Sequence, residues 1–338
     1  MITLSVKYRP KTFEDVVEQS SIVKVLSKQV ETHTFRNAYL FCGASGCGKT
    51  TVARILSNAI NGKDGCAIEI DAASNNGVDN MRLIVNSAQE RSLDSEYKII
   101  ILDECHALTN QSWQALLKCI EEPPEYTIFI LCTTDPQKIP DTILNRVQRF
   151  NFTRISPNSI KERLKYVCRC EGFTNYDETV EYISKICNGG MRDALSLLDK
   201  VSSLDTNMCI ENTLNVLGNY SYDTFFTLIN AIIDGNEKIV LNIIQDMHNS
   251  GKNLKLFVDT FLEFALDISK YILFESTDMI TIPASMVSQI KGCTNFNNAK
   301  DYYRYIVNNL WDIKNTIKGE SNIKVLIDIA FMKMCNVG

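Results

Sequence analysis

Over its first half the chain alternates short, almost wholly apolar runs with stretches whose apolar residues recur every three or four positions. "NAYLFCG" (37–43), "AIEIDAA" (67–73), "YKIIILDE" (97–104), "YTIFILCTT" (126–134) and "QRFNFTRI" (148–155) read as strands. The segments between them carry helical spacing, and "TTVARILSNAI" (50–60) follows the first strand directly. Such alternation predicts a parallel sheet with helices on both faces.

After Pro157 the strand-like runs stop. "SIKERLKYVCRCEG", "DETVEYISKICNGG" and "RDALSLLDKVSSL" each have helical apolar spacing, and Gly189-Gly190 ends one helix before the next. A third block begins near Gly218 with "YDTFFTLINAIIDGN". Its longest helix, "LKLFVDTFLEFALDISKYIL" (254–273), carries apolar residues all round, as expected of a helix inside a bundle or at a partner surface. The pattern predicts an α/β core over 1–155, a small helical domain over 156–217 and an all-α domain over 218–338.

With 338 residues, 45% apolar and 22% charged, the chain is globular in composition, and no apolar run approaches the ~18 residues of a membrane span. No signal peptide is expected at "MITLSVKYRPKTF", and the expected compartment is the cytoplasm. The 12 cysteines are scattered, which fits a reducing compartment. Cys168, Cys170 and Cys187 match no common zinc spacing and are read as helix-packing residues. A net charge of −5 argues against a surface coated with basic residues for nucleic acid, but not against local backbone contacts.

The candidate chemistry starts at "GASGCGKTT". Gly43-x-x-x-x-Gly48-Lys49-Thr50, between strand and helix, is the spacing of a phosphate-binding loop. Backbone N–H groups of Gly43, Ala44, Ser45, Gly46, Cys47, Gly48 and Thr51 can curl around phosphate oxygens. Lys49 reaches the outer phosphates and the Thr50 hydroxyl meets Mg²⁺. "KIIILDECH" ends a strand in two acids, so Asp103 is the candidate metal ligand, partly through water, and Glu104 the candidate base. Thr134, after the next strand, can meet the attacking water or the γ-phosphate, or cap the turn before Pro136. Arg146 and Arg192 lie near domain edges, where phosphoryl transfer needs further positive charge; ordinary surface arginines would look the same.

Beyond this chemistry, "KYRPKTFEDVVEQ", "GASGCGKTT", "EIDAAS", "LDECHALTNQSWQALLKCIEEPPEYTIFILCTTDPQKIPDTILNRVQRF" and "GGMRDALSLLD" together resemble the gamma/tau family of bacterial DNA polymerase III clamp loaders. They resemble the small subunits of replication factor C more distantly. The resemblance implies an AAA+ fold: a P-loop core, a helical lid and a helical collar through which five subunits join. It also implies an ATPase that opens a sliding clamp and loads it on primed DNA, using ATP/ADP and Mg²⁺. Its partners would be other clamp-loader subunits, the clamp and the primer-template backbone.

By position, the resemblance makes Arg146 the finger inserted into a neighbour's site, Arg192 the lid sensor of the γ-phosphate and Thr134 the strand-end sensor. It puts Tyr8, Arg9, Pro10, Val16 and Val17 near the adenine, and Lys118 and Thr142 near the inter-subunit interface. Two other readings remain: a nucleotide-binding scaffold subunit of the same complex, or another AAA+ DNA-remodelling ATPase.

Several residues depart from the family pattern. A four-cysteine zinc module is reduced to "NGKDGCA" with Cys66, so no zinc is expected. Asn145 and Val147 flank the finger where serine and cysteine are usual, and Glu18 stands where glycine is usual. "ASNNGVDN" and "LTNQS" lack basic residues, and Asp94 and Glu96 replace expected arginines. Phosphate contacts would then fall to helix starts and to partner subunits. The chain is expected to end at the collar without a tethering extension. So compact a version would suit a phage or an unusual bacterium, with a host cytoplasm as the compartment in the first case.

Overall fold

The computed structural model describes residues 2–62, 67–92, 94–217, 220–317 and 322–336. In chain order the helices and strands are α1 (Leu4–Lys7), α2 (Ser20–Glu31), β1 (Ala38–Cys42), α3 (Lys49–Asn61), β2 (Ala67–Asp71), α4 (Val78–Ala88), β3 (Lys98–Asp103), α5 (Asn110–Glu121), β4 (Thr127–Thr133), α6 (Asp141–Leu144) and β5 (Gln148–Asn151). The helices α7 (Pro157–Glu171), α8 (Asp177–Ile186), α9 (Met191–Ser202) and α10 (Ile210–Leu217) follow. The rest is α11 (Tyr222–Ile233), α12 (Glu237–Asn249), α13 (Leu254–Phe274), α14 (Val287–Thr294), α15 (Ala299–Thr316) and α16 (Ile323–Cys335). Among the described residues the fold is thus a parallel-sheet P-loop core followed by helices. Two compact units divide it: Met1–Val167 with Cys187–Asp199, and Cys168–Ile186 with Lys200–Gly338.

In the first unit the five strands are all parallel, in the order β2-β3-β4-β1-β5. Every residue of β1 and β4 is buried, which explains why these runs are apolar rather than alternating. The edge strand β2 is largely exposed. One sheet face packs Leu40, Leu102 and Leu131 with Met81 of α4 and Trp113 of α5, and the other packs Phe41, Ile101 and Ile130 with Leu26 of α2 and Leu56 of α3. Pairing of Cys42 with Thr133, and of Asp71 with Asp103, brings the carboxyl ends of the strands level. In a parallel sheet that edge is where loops meet to bind ligands.

Among its described residues the second unit is helical apart from one isolated bridge, between Thr174 and Asn207. Its core is aromatic: Phe225, Phe257, Phe261, Phe264 and Phe331 form a chain of ring contacts with centroids 5.3–6.2 Å apart. The long helix α13 starts at Asn253, whose side chain accepts from Lys255 N and Leu256 N, and it packs on α15 and α16. Its buried Asp267 is satisfied by Thr281 N and Oγ1, both at 2.6 Å, and by Lys270. These contacts make α13 a central bundle helix. Cys168 and Cys187 are buried as expected of packing residues, but Cys170 is exposed, because it falls on the solvent side of its helix.

Phe261→Ala is expected to lower stability by about 3–5 kcal/mol through the cavity it leaves. Leu273→Ala, on the same helix but 54% exposed, should stay within about 0.5 kcal/mol. Urea unfolding followed by circular dichroism measures both.

Candidate functional site

The loop between β1 and α3 is held in a conformation that glycine alone suits. A Cβ on Gly43 would lie 2.6 Å from the Phe152 carbonyl oxygen, and Gly46 sits at φ +71° with Gly190 against it. Met191 N donates to Gly46 O at 3.0 Å, so the first residue of α9 is bonded to the loop. Lys49 is buried, and its ammonium donates to the carbonyls of Gly43 and Ala44, both at 2.9 Å. This places a fixed positive charge inside the loop beside the N-terminus of a helix of 13 residues.

Across the sheet edge, Thr50 Oγ1 donates to Asp103 Oδ2 at 2.7 Å, and Asp103 Oδ1 accepts from Glu104 N at 3.0 Å. A hydroxyl beside a carboxylate is a hard-oxygen pair of the kind Mg²⁺ prefers, so these residues fit that ion. Glu104 adopts φ +47°, an uncommon conformation for a residue with a side chain. Its Oε2 accepts from Thr134 Oγ1 at 3.1 Å and lies 3.3 Å from His106 Nδ1. For Thr134 the sequence left open the attacking water or γ-phosphate and a cap on the turn before Pro136; its hydroxyl donates to the Glu104 carboxylate.

These groups border an open cleft at the sheet edge. Loop residues Ser45 to Thr51, Asp103 and Glu104 line it, as do Tyr8, Arg9, Pro10, Val16, Val17 and Arg192. Gly43, Ala44 and Thr134 stand behind that lining. The N-terminal segment reaches the cleft because Glu18 and Gln19 pin it. Gln19 exchanges hydrogen bonds with the Thr153 backbone, and the Glu18 carboxylate accepts from Ser156 N and Ser159 Oγ, both at 2.9 Å. Glu18 has φ +60°, which explains why a glycine would suit the position. Burial pushes its carboxyl up, but the bonds from Ser156 and Ser159 outweigh this and hold it below its ordinary value.

Sequence reasoning missed Arg163, Met191 and Leu195, which also line the cleft. Arg163 donates to Tyr8 O at 3.1 Å with its guanidinium over the Tyr166 ring. Its helical spacing gave no sign of this, since the contact spans 155 positions. Charge is crowded here. Burial lowers Arg9 from the usual guanidinium value, as do the like charges of Arg54 and Arg192, against the pull of Glu69 and Asp103. Arg54 is itself held in a two-pronged pair with Glu69, both bonds at 2.6 Å.

Arg146, Thr142 and Lys118 are exposed and do not line the cleft. Arg146 donates to Thr142 O at 2.6 Å and pairs with Glu121 at 2.7 Å. Val147, which stands where cysteine is usual, is partly buried and packs against the core of that sheet face. Among the described residues no group of three or more His, Cys, Asp or Glu is placed to hold a metal, and Cys66 lies outside them. No helix of the described residues is long and apolar enough to cross a membrane.

Three family profiles match in succession: "DNA polymerase III, delta subunit" at residues 63–156, "DNA polymerase III clamp loader subunit, ATPase lid domain" at 159–201, and "DNA polymerase III subunits gamma and tau domain III" at 209–324. The chain is 32% identical to DNA polymerase III subunit tau of Bacillus subtilis, over 97% of this chain and 62% of that protein. It is 33% identical to the gamma/tau subunit of Mycoplasma genitalium, over 89% and 53%, and 32% identical to tau of Escherichia coli, over 72% and 41%. The chain therefore spans about two fifths to three fifths of the length of these relatives. The solved Thermotoga maritima RuvB, titled a Holliday junction branch migration motor, shares the fold with a TM-score of 0.53 and 20% identity, over 67% of this chain and 80% of that one.

Two outcomes are expected. Gly46→Ala forces an alanine into a left-handed conformation costing about 1–2 kcal/mol, and should weaken Mg·ATP binding about tenfold or more in calorimetric titration. For Glu18 the folded value is lowered, so its stabilising contribution is full above the unfolded value of about 4.3 and lost as pH falls through the folded one. Between about pH 5 and 3, unfolding titrations should show the native chain losing more stability than Glu18→Gln.

Proposed function

The chain belongs to the gamma/tau family of DNA polymerase III clamp-loader subunits, and from that premise we propose that it is an ATPase motor that helps open a sliding clamp and load it on primed DNA. One observation carries this reading. The loop lysine, the Thr50–Asp103 pair and the Glu104 carboxylate meet at one sheet edge, in the arrangement phosphoanhydride hydrolysis needs.

In this reading the loop N–H groups and Lys49 bind and orient the β- and γ-phosphates of ATP. Thr50 and Asp103 would hold Mg²⁺, Asp103 partly through water, and the ion when bound would neutralise charge developing on the phosphates. Glu104 accepts a proton from the attacking water or orients it, while Thr134 holds the carboxylate. Tyr8, Arg9, Pro10, Val16 and Val17 enclose the base and ribose. Arg192, on the helix that starts against Gly46, answers to the γ-phosphate.

Arg146 completes the site of a neighbouring subunit, with Lys118 and Thr142 at the same interface. We divide the chain into a core at 1–155, a lid at 156–217 and a collar at 218–338 that joins subunits, with a pentamer as the expected assembly. The lid and domain III matches support that division. Primer-template DNA would be held by its phosphates, at helix starts such as that of α5, where Thr109 caps the backbone. The expected compartment is the cytoplasm.

Glu104→Gln should keep Mg·ATP affinity and lose about 10²–10⁴-fold in turnover. Arg146→Ala should leave binding to the single chain unchanged and lower turnover of the assembled oligomer about 10³-fold or more. Steady-state hydrolysis with and without primed DNA and clamp, beside nucleotide titrations, measures both. Flat turnover by the native chain, even with clamp, primed DNA and partner subunits present, would contradict the motor and leave a nucleotide-binding scaffold.

A further inference from the structure

We infer that His106 is a positioning residue for Glu104: it fixes the direction of the carboxylate without touching nucleotide. The inference rests on the reading of Glu104 as the base. His106 lies in a single 3₁₀ turn, Cys105–Ala107, that follows β3. The turn is rigid because Cys105 is fully buried and the Glu104 and Cys105 carbonyls accept from Ala107 N and Leu108 N. The imidazole is 21% exposed and is not part of the cleft lining.

The ring nitrogen Nδ1 lies 3.3 Å from Glu104 Oε2 and 3.2 Å from Thr133 Oγ1. An ionised carboxylate only accepts hydrogen bonds, so a bare Nδ1 here would set one lone pair against another. The Thr133 hydroxyl already accepts from Asp135 N at 3.0 Å and has a second lone pair to offer. A proton on Nδ1, shared between Glu104 Oε2 and Thr133 Oγ1, gives both oxygens a donor and removes that clash. Their surroundings therefore select the Nδ1–H form of the ring.

Oε2 then has two donors from two strand ends: His106 after β3 and Thr134 after β4. Both are on the same oxygen, which leaves Oε1 to accept from water. Glu104 needs such restraint, because its φ of +47° is not a conformation its own backbone favours. Loss of the ring would let the carboxylate rotate, and a base displaced by about an ångström can lose about 100-fold in rate.

The test compares His106→Leu, which fills the space without a donor, with His106→Asn, which offers an N–H near the Nδ1 position. In steady-state ATP hydrolysis by the full chain, His106→Leu should lower kcat about 10- to 100-fold, with KM and Mg·ATP affinity unchanged. His106→Asn should recover most of that loss, and Glu104→Gln with His106→Leu should be no slower than Glu104→Gln alone. Long-range ¹⁵N–¹H spectra of the native chain should show His106 as the Nδ1–H form. This reading needs no variant and decides the matter if His106→Leu does not fold. Native turnover in His106→Leu, or an Nε2–H ring in the native chain, overturns the inference while Glu104-dependent turnover still stands. Native turnover indifferent to Glu104→Gln overturns the functional reading, and the inference with it.

Discussion

The hydrogen bond from Thr50 to Asp103 joins the helix that follows β1 to the end of β3, and the candidate site is organised around that link. It exists because the strands are parallel and level at their carboxyl ends, an arrangement that requires β1, β3 and β4 to be buried almost throughout. The loop glycines let β1 turn into α3 within a few residues, and the buried Lys49 neutralises the carbonyls that turn brings together. A shift of one residue in the register of β3 would send Asp103 to the other face of the sheet. The hydrophobic pattern of the strands thus sets the chemistry of the loops.

The chain carries net negative charge, yet this edge gathers Lys49, Arg9, Arg163 and Arg192 near two acids. Burial first, and then the like charges of Arg54 and Arg192, lower Arg9, and a bound polyanion would offset both. Elsewhere the arginines are matched by fixed partners: Arg54 by Glu69, and Arg146 by Glu121 and the Thr142 carbonyl. For Arg146 these bonds hold an exposed guanidinium in a defined direction, which limits the entropy lost if it enters a neighbour's site.

Much of the core was legible in the sequence because buried parallel strands leave continuous apolar runs and phosphate loops leave glycines at fixed spacing. The long helix at 254–273 was legible as a helix, but its place inside the bundle depended on the aromatic contacts of Phe257, Phe261 and Phe264. Contacts between distant segments were not legible. Arg163 on Tyr8, Met191 on Gly46 and Ser156 on Glu18 join residues more than 130 positions apart and leave no periodic trace. In the sequence Glu18 stood out only as a residue where glycine is usual. Its carboxylate instead anchors the start of α7, which offsets the strain of the left-handed backbone. The sequence left Thr134 open between a ligand contact and a turn cap, and its bond to Glu104 joins two strand ends that periodicity does not connect.

In the proposed function the loop at 43–51, the segment from Tyr8 to Val17 and the start of α9 form one nucleotide site. Hydrogen–deuterium exchange of the full chain, with and without Mg²⁺ and a slowly hydrolysed ATP analogue, probes all three at once. Their amides should gain protection together, over one range of nucleotide concentration. Protection confined to the loop, or absent from it, would refute a shared site.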